Sequence, residues 1–232
     1  MAFEINLKNK SFYDWFYDEL ILYIKQMLTS EFKDIFESAP CKVKVQIVDD
    51  LDQFFEDYAN RSGKYYKIRI SDLDRELQIY DDNTVNSMMQ ARYEMIIENG
   101  KMCLTKLSIE LSESRLNRYL IHNINNVENF LNCMKQSARH EVGHLIDFIS
   151  YDGMSLDDYI KMVERRAIEK ENWSKDRQPS MSEEDICSYY ALEGESVANA
   201  NVGITPEMCI EADKKAFKSY SDSDIILTID TK

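Results

Sequence analysis

Apolar side chains recur at helical spacing near the start of the chain and at every second position soon after. Between residues 11 and 37 they lie three or four positions apart, which predicts one long helix or two consecutive helices ending before Pro40. Residues 42–47 alternate between polar and apolar side chains, the pattern of a half-buried strand. The segments that follow are predicted as a short helix at 49–58 and two strands at 65–70 and 76–80.

The middle of the chain carries the longest regular patterns. Residues 84–98 place apolar side chains on one face of a helix, which Gly100 would close. Residues 102–111 alternate and predict a strand, and residues 126–151 return to helical spacing.

The last third alternates between polar and helical segments. Residues 170–182 are polar and unpatterned, so we expect a loop or lid there. Ser182 and Asp185 resemble a capping box that opens a helix running towards Ala200. A second helix is expected at 208–220 after Thr205 and Pro206, and a last strand at 224–229.

These elements predict an α+β fold in one domain spanning residues 1–232. The 232 residues contain only six glycines and three prolines, and we find no repeat and no convincing linker. Within the domain, residues 1–125 supply N-terminal helices and sheet without an assigned role. Residues 126–202 carry the candidate chemistry, and residues 203–232 supply a C-terminal helix and strand.

Composition narrows the function classes. A formal net charge of −14 would repel phosphate backbones, so we expect no nucleic-acid partner. No apolar stretch approaches the roughly 20 residues of a membrane span. Five scattered cysteines and the absence of a leader-like start indicate free thiols in a reducing, cytoplasmic setting.

The motif that carries chemistry is the segment His-Glu-Val-Gly-His at residues 140–144. Spacing of four residues on a helix turns His140 and His144 to one face, where both imidazoles can bind one metal ion. Glu141 lies beside the first ligand, within reach of a water on that metal. Gly143 is costly inside a helix, which indicates a close backbone approach there. Zinc is the predicted cofactor, and it needs a third protein ligand and an open position.

The third ligand is predicted to be a carboxylate on a following helix. Glu195 is preferred because small and apolar residues surround it, where an unpaired carboxylate would be costly to bury. Glu193 is the alternative, expected either in solvent or as an acceptor for an imidazole N–H. His122 is interpreted as an exposed turn histidine.

The residues around this motif resemble a known family. His140-Glu141-x-Gly143-His144-x-x-Asp147, followed by Tyr190-Ala191 and Glu195-x-x-Ala198, is similar to the zincin metallopeptidases of gluzincin type. Within them it resembles the group of the anthrax lethal factor catalytic domain, which includes peptidases of bacterial toxins and phages. The resemblance covers about a third of the chain, residues 126–202, and implies a mixed or antiparallel sheet beside the active-site helix.

The resemblance also implies roles for individual residues. His140, His144 and Glu195 would bind zinc and Glu141 would act as general base, with Tyr190 rather than Tyr189 donating to the oxyanion. Val197 stands where that group has an aromatic residue. Asn199 stands where an acidic residue often orients a ligand histidine, so a supporting role is expected for it.

Three further expectations concern the surroundings of the site and its substrate. Asp147 would hydrogen-bond a metal ligand or a neighbouring basic side chain, or else remain in solvent. The strand at 102–111 would be the sheet edge that pairs with the substrate backbone. The acidic balance favours basic or neutral peptides as substrates.

The sequence thus predicts a zinc-dependent metallopeptidase acting on a protein or peptide, and the family it resembles includes peptidases of phages and mobile elements. The alternatives are a non-catalytic acidic interaction or inhibitor protein with a relic or structural metal site, and an acidic nucleic-acid mimic. Glu141 argues against a relic, because a structural zinc site has no use for a general base. The sequence does not predict an oligomeric state.

Overall fold

The computed structural model describes most of the chain, with gaps. The residues described are 10–48, 66–70, 75–79, 88–113, 116, 119–120, 123, 126–175 and 183–217. Within them the chain forms seven α-helices, one short π-helical segment and five strands, so the α+β class is confirmed at this level. The expected helix at 49–58, the strand at 224–229 and the turn histidine His122 lie outside the described residues.

The N-terminal helices follow the apolar pattern of the sequence. Helix α1 (Lys10–Gln26) continues through a π-helical segment (Met27–Glu31) and is followed by α2 (Lys33–Ser38). The side chains that the helical spacing turns inward are buried, namely those of Phe16, Leu20, Ile24 and Met27. The prediction of consecutive helices before Pro40 is confirmed.

The main sheet has three strands and is mixed. Strands β1 (Val43–Val48), β4 (Met89–Glu98) and β5 (Lys101–Ser112) lie in the order β1-β5-β4. Strand β1 runs parallel to β5, and β4 runs antiparallel to it. Strands β2 (Tyr66–Ile70) and β3 (Arg75–Ile79) form a separate antiparallel pair. The sequence predicts both strands but not how they pair.

The predicted helix at 84–98 is wrong in its described part. Residues 89–98 form strand β4, and Asn99 and Gly100 make the two-residue turn into β5. Both turn residues have positive φ, 52° and 74°, as a type I′ hairpin requires. Gly100 therefore ends a strand and not a helix, and the Asn-Gly pair is the signal that the helical interpretation overlooked.

The edge of the main sheet also differs from expectation. Strand β5 has a neighbour on each side, so it is the central strand and cannot offer a free edge to a substrate. Its residues Leu107, Ile109 and Leu111 are fully buried, as a central position demands. Among the described strands of this sheet, β1 and β4 lie at the edges, and Ala91 of β4 contacts Glu141 of the helix at 127–149.

Five helices complete the described chain. They are α3 (Val127–Ile149), α4 (Leu156–Lys175), α5 (Glu183–Tyr190), α6 (Glu193–Val202) and α7 (Pro206–Phe217). Helix α3 confirms the prediction at 126–151 and lies at the centre of the fold. It packs against α1, α6, α7 and the main sheet, and its buried face carries Phe130, Met134, Ala138, Val142 and Leu145.

Two C-terminal expectations are corrected. Residues 170–175 belong to α4 and are not a loop, while 176–182 lie outside the described residues. One helix is expected from Ser182 towards Ala200, but the structure has two, because the helix is interrupted at Ala191 and Leu192. Leu192 has extended backbone (φ −57°, ψ 142°), which turns α6 away from α5. Helix α7 confirms the start expected at Pro206.

None of the described helices combines the length with the apolar character that a membrane span needs.

Candidate metal centre

The two histidines of the motif meet on one face of α3. Their Nε2 atoms lie 3.1 Å apart, and the two rings stand edge to face. His140 is buried, and the ring of His144 lies parallel to that of Phe148, at 6.0 Å between centroids. The helix therefore holds both imidazoles with one nitrogen each turned to a common point.

Glu195 joins the histidines from α6. Its Oε2 lies 3.0 Å from Nε2 of His140 and 3.4 Å from Nε2 of His144. Within the described part of the chain, these three side chains are the group whose ligand atoms come close enough to hold a metal ion. The structure thus brings Glu195, and not Glu193, to the histidines.

The spacing of these three atoms fits a zinc ion. Ligand atoms about 2.0–2.1 Å from zinc at tetrahedral corners lie roughly 3.3–3.4 Å from one another. The separations here are 3.0, 3.1 and 3.4 Å. Two imidazole nitrogens and a carboxylate oxygen all present lone pairs at these distances, so they repel one another unless a cation or a proton lies between them. The donor set and its spacing therefore suit zinc.

A close contact between α3 and α6 makes this convergence possible. A Cβ added to Gly143 would lie 2.0 Å from the carbonyl oxygen of Ala198, a distance that no side chain tolerates. The side chain of Asn201 donates to the Gly143 carbonyl at 3.1 Å, and Arg139 Nε donates to the Val202 carbonyl at 2.8 Å. The close backbone approach that the sequence predicts at Gly143 is confirmed.

The ring of His140 is oriented by Asn199 of α6. Its Nδ1 lies 2.8 Å from Oδ1 of Asn199. Because an amide oxygen only accepts, Nδ1 carries a hydrogen. Nε2 then faces Glu195, donating to it when the ring is protonated and offering a lone pair when the ring is neutral. Burial lowers the pKa of His140, but the hydrogen bond to Glu195 and the charges of Glu141 and Glu195 outweigh it and raise the pKa to about 9.

The carboxylate of Glu195 is held by Tyr189. The Tyr189 hydroxyl donates to Oε1 at 2.7 Å, which leaves Oε2 to face the histidines. Burial raises the pKa of this carboxyl, but the charge of His144 and the hydrogen bonds to both histidines hold it well below its usual range. The ring of Tyr190 stands edge-on to that of His140 at 5.6 Å. Its expected role as oxyanion donor stays a prediction.

Glu141 lies beside the cluster and contacts the sheet. Its Oε2 accepts a hydrogen bond from the backbone N–H of Ala91 in β4, at 2.7 Å. Burial raises the pKa of Glu141, against the lowering effect of the two histidines and of this N–H. A carboxylate with one oxygen fixed and a raised pKa is suited to accept a proton on its other oxygen.

Asp147 and Glu193 lie outside the cluster and bind arginines of α4. Asp147, which is buried, accepts from Arg166 at 2.6 Å and from the hydroxyl of Tyr151. Glu193 accepts from Arg165 at 2.5 and 2.6 Å and from Arg166 at 3.2 Å. The hydrogen bond from Arg165 is the main cause of the lowered pKa of Glu193. Of the partners expected for Asp147, the structure shows the neighbouring basic side chain, Arg166.

Sequence reasoning missed three contributors to this site. Tyr189 receives no role from the sequence, because in one continuous helix a tyrosine six residues before Glu195 would not share a face with it. The interruption between α5 and α6 brings the two together. Ala91 was assigned to a helix, although every second residue from Met89 to Ile97 is apolar. Arg166 carries no local signal that distinguishes it from Arg165.

Comparisons with known proteins do not extend this description. No protein-family model, no curated protein and no solved structure matches the chain.

Proposed function

We propose that the chain is a zinc-dependent metallopeptidase of gluzincin type that hydrolyses peptide bonds in a protein or peptide. The observation that carries the proposal is the spacing of His140 Nε2, His144 Nε2 and Glu195 Oε2, 3.0–3.4 Å apart, with the carboxylate of Glu141 beside them. Catalytic zinc sites typically have three protein ligands, often two histidines and a glutamate. Within the described residues, this cluster supplies such a set.

In this proposal each residue has one task. His140, His144 and Glu195 hold the ion, which when bound supplies a Lewis acid for the scissile carbonyl and lowers the pKa of water. Glu141 takes a proton from the attacking water and returns it to the leaving amine. The N–H of Ala91 keeps Oε2 of Glu141 occupied, so that Oε1 is the oxygen free to exchange that proton.

The proposal includes a zincin-like arrangement of the sheet and the helices. Strand β4 supports it, because its Ala91 contacts Glu141 and because it lies at an edge of the described sheet. An extended substrate could add to that edge through backbone hydrogen bonds. Strand β4 therefore replaces the strand at 102–111 as the proposed partner of the substrate.

The experiment that tests the function uses a peptide library as its probe. The zinc-loaded chain is incubated with the library, and new termini are identified by mass spectrometry. We expect cleavage by the native chain and at least a roughly hundredfold loss in Glu141→Gln, which keeps the shape of the side chain but removes the base. Zinc content and the unfolding midpoint of the variant should match those of the native chain.

The matched control is Glu128→Gln, a substitution of the same kind at an exposed glutamate near the start of the same helix, thirteen residues before Glu141. It should retain most of the cleavage activity. Equal cleavage by the native chain and Glu141→Gln would contradict the proposed mechanism. Zinc binding without any cleavage would favour the interaction or inhibitor protein.

A further inference from the structure

Helix α4 contacts the metal-binding helices through one of its faces. Arg166, Glu169 and Trp173 follow one another at spacings of three and four residues, so they share a face of the helix. All three contact the segment at 188–193, which leads into α6. The sequence predicts a loop from residue 170 onwards, where the helix in fact continues to Lys175. The proposed chemistry assigns no role to this face.

Arg166 joins the two helices that supply the metal ligands. It donates to Asp147 of α3 at 2.6 and 3.4 Å and to the hydroxyl of Tyr151 at 2.5 Å. Its Nε donates to Glu193 of α6 at 3.2 Å. Asp147 lies one turn after His144, and Glu193 lies two residues before Glu195. One guanidinium therefore ties the neighbourhoods of two metal ligands together.

The start of α6 is held by α4 as well. The N-cap residue Leu192 provides no side-chain hydrogen bond, but Oε2 of Glu169 accepts from the backbone N–H of Glu193 at 2.8 Å. A carboxylate at this end also stabilises the helix dipole. Helix α4 thus supplies from a distance the cap that the local sequence lacks.

Trp173 holds the segment just before α6. Its Nε1 donates to Ser188 at 3.1 Å, and its ring lies 5.1 Å from that of Tyr189. Tyr189 is the residue whose hydroxyl fixes Glu195. Both routes from α4, through Glu193 and through Tyr189, therefore lead to the third metal ligand.

We propose that Arg166 is a positioning residue, which sets the place of Glu195 relative to His140 and His144 by tying Asp147 to Glu193, so that metal affinity depends on α4. This inference rests on the metal site of the proposed function. A planar guanidinium with several fixed donors suits the task, because it binds two carboxylates and a hydroxyl in one geometry.

Arg165 offers a matched comparison on the same helix. Both arginines bind Glu193, but the side chain of Arg165 is 61% exposed and that of Arg166 only 20%. Exposed ion pairs contribute little, whereas a partly buried pair is screened less and fixes its partners. Only Arg166 also contacts α3.

The experiment measures the zinc dissociation constant by competition with a chelator and the unfolding midpoint of the zinc-free chain. The variants are Arg166→Met, the pair Arg166→Met with Asp147→Asn, and Arg165→Met. The double variant removes the charge that Arg166→Met alone would leave buried without a partner. We expect roughly tenfold to hundredfold weaker zinc binding for both Arg166 variants, and a change of less than about twofold for Arg165→Met.

Two outcomes would overturn the inference while the metal site stands. One is a folded double variant that binds zinc as tightly as the native chain and differs only in a lower unfolding midpoint without zinc. That result would mean that the contact stabilises the fold without positioning Glu195. The other is a double variant that does not fold, which would assign the contact to the fold as a whole. A native chain that binds no zinc would instead remove the proposed function, and this inference with it.

Discussion

At the scale of single residues, three side chains of the candidate site are each held by a neighbour that is not one of the proposed metal ligands. Asn199 holds Nδ1 of His140, Tyr189 holds Oε1 of Glu195, and the N–H of Ala91 holds Oε2 of Glu141. Such partners fix the orientation of a ligand before the metal binds. In the proposed function these contacts suit Glu195 to the role of ligand and Glu141 to that of base.

The neighbouring tyrosines can be separated by experiment. Tyr189→Phe removes the hydrogen bond to Glu195 and leaves that carboxylate free to turn, so we expect zinc affinity to fall roughly tenfold. Tyr190→Phe keeps the ring against His140, so zinc affinity should stay unchanged while cleavage slows, if Tyr190 donates to the oxyanion. Chelator competition and peptide cleavage measure the two effects. Native-like zinc affinity in Tyr189→Phe would contradict the role of its hydroxyl.

Gly143 allows a direct test of the close contact between α3 and α6. In Gly143→Ala the new methyl group would collide with the backbone carbonyl of Ala198, so α6 must move away and carry Glu195 with it. We expect a loss of stability of at least about 1–3 kcal/mol together with weaker zinc binding. Denaturant unfolding and zinc titration measure both. The control is Gly194→Ala, because its Cβ would meet only the end of Arg166 at 3.9 Å.

At the scale of elements, the site depends on where β4 lies. The strand places Ala91 opposite Glu141, and its N–H points away from β5 towards that carboxylate. Proline removes an N–H without disturbing the ladder when that N–H faces away from the neighbouring strand. Ala91→Pro therefore removes the hydrogen bond from the sheet to the proposed base and keeps the strand pairing.

We expect Ala91→Pro to bind zinc like the native chain but to cleave peptides at least roughly tenfold more slowly, because Glu141 loses the donor that orients it. Ala91→Gly keeps the N–H and serves as the control. Zinc titration and peptide cleavage are measured on both variants. Undiminished cleavage by Ala91→Pro would remove Ala91 from the mechanism.

The same strand marks the limit of what the sequence predicts about the fold. Residues 84–98 fit a helical face through Met89, Tyr93 and Ile97, and they fit a strand equally through the alternation at 89–97. The Asn99-Gly100 turn decides between them, since two positive φ values in succession close a hairpin. Helix α3 was predicted well because its apolar spacing extends over six turns and has no competing period.

The candidate site could be predicted in part for a similar reason. His140, Glu141 and His144 lie within one helix, so their spacing in sequence determines their spacing in space. Glu195 was found because its surroundings are apolar and small. Tyr189, Ala91 and Arg166 depend on a helix break, an edge strand and a distant helix, and no local pattern encodes such tertiary contacts.

At the scale of the whole molecule, the proposed zinc ion would compete with protons for the same site. The pKa of His140 is raised to about 9 in the metal-free chain, so below that pH its ring carries a proton that a metal ion must displace. We expect zinc affinity to fall roughly tenfold for each pH unit below about 9, and calorimetry in different buffers to detect about one released proton near pH 7. Affinity independent of pH over that range would contradict this account.

The most direct test of the central claim is the zinc content of the purified chain. Elemental analysis of the native chain, His140→Ala, Glu195→Ala and Glu193→Gln should give about one zinc per chain for the native protein and for Glu193→Gln, and little for the other two. Loss in both ligand variants would establish the three-ligand site on α3 and α6. No zinc in the native chain, even after incubation with the metal, would contradict the account.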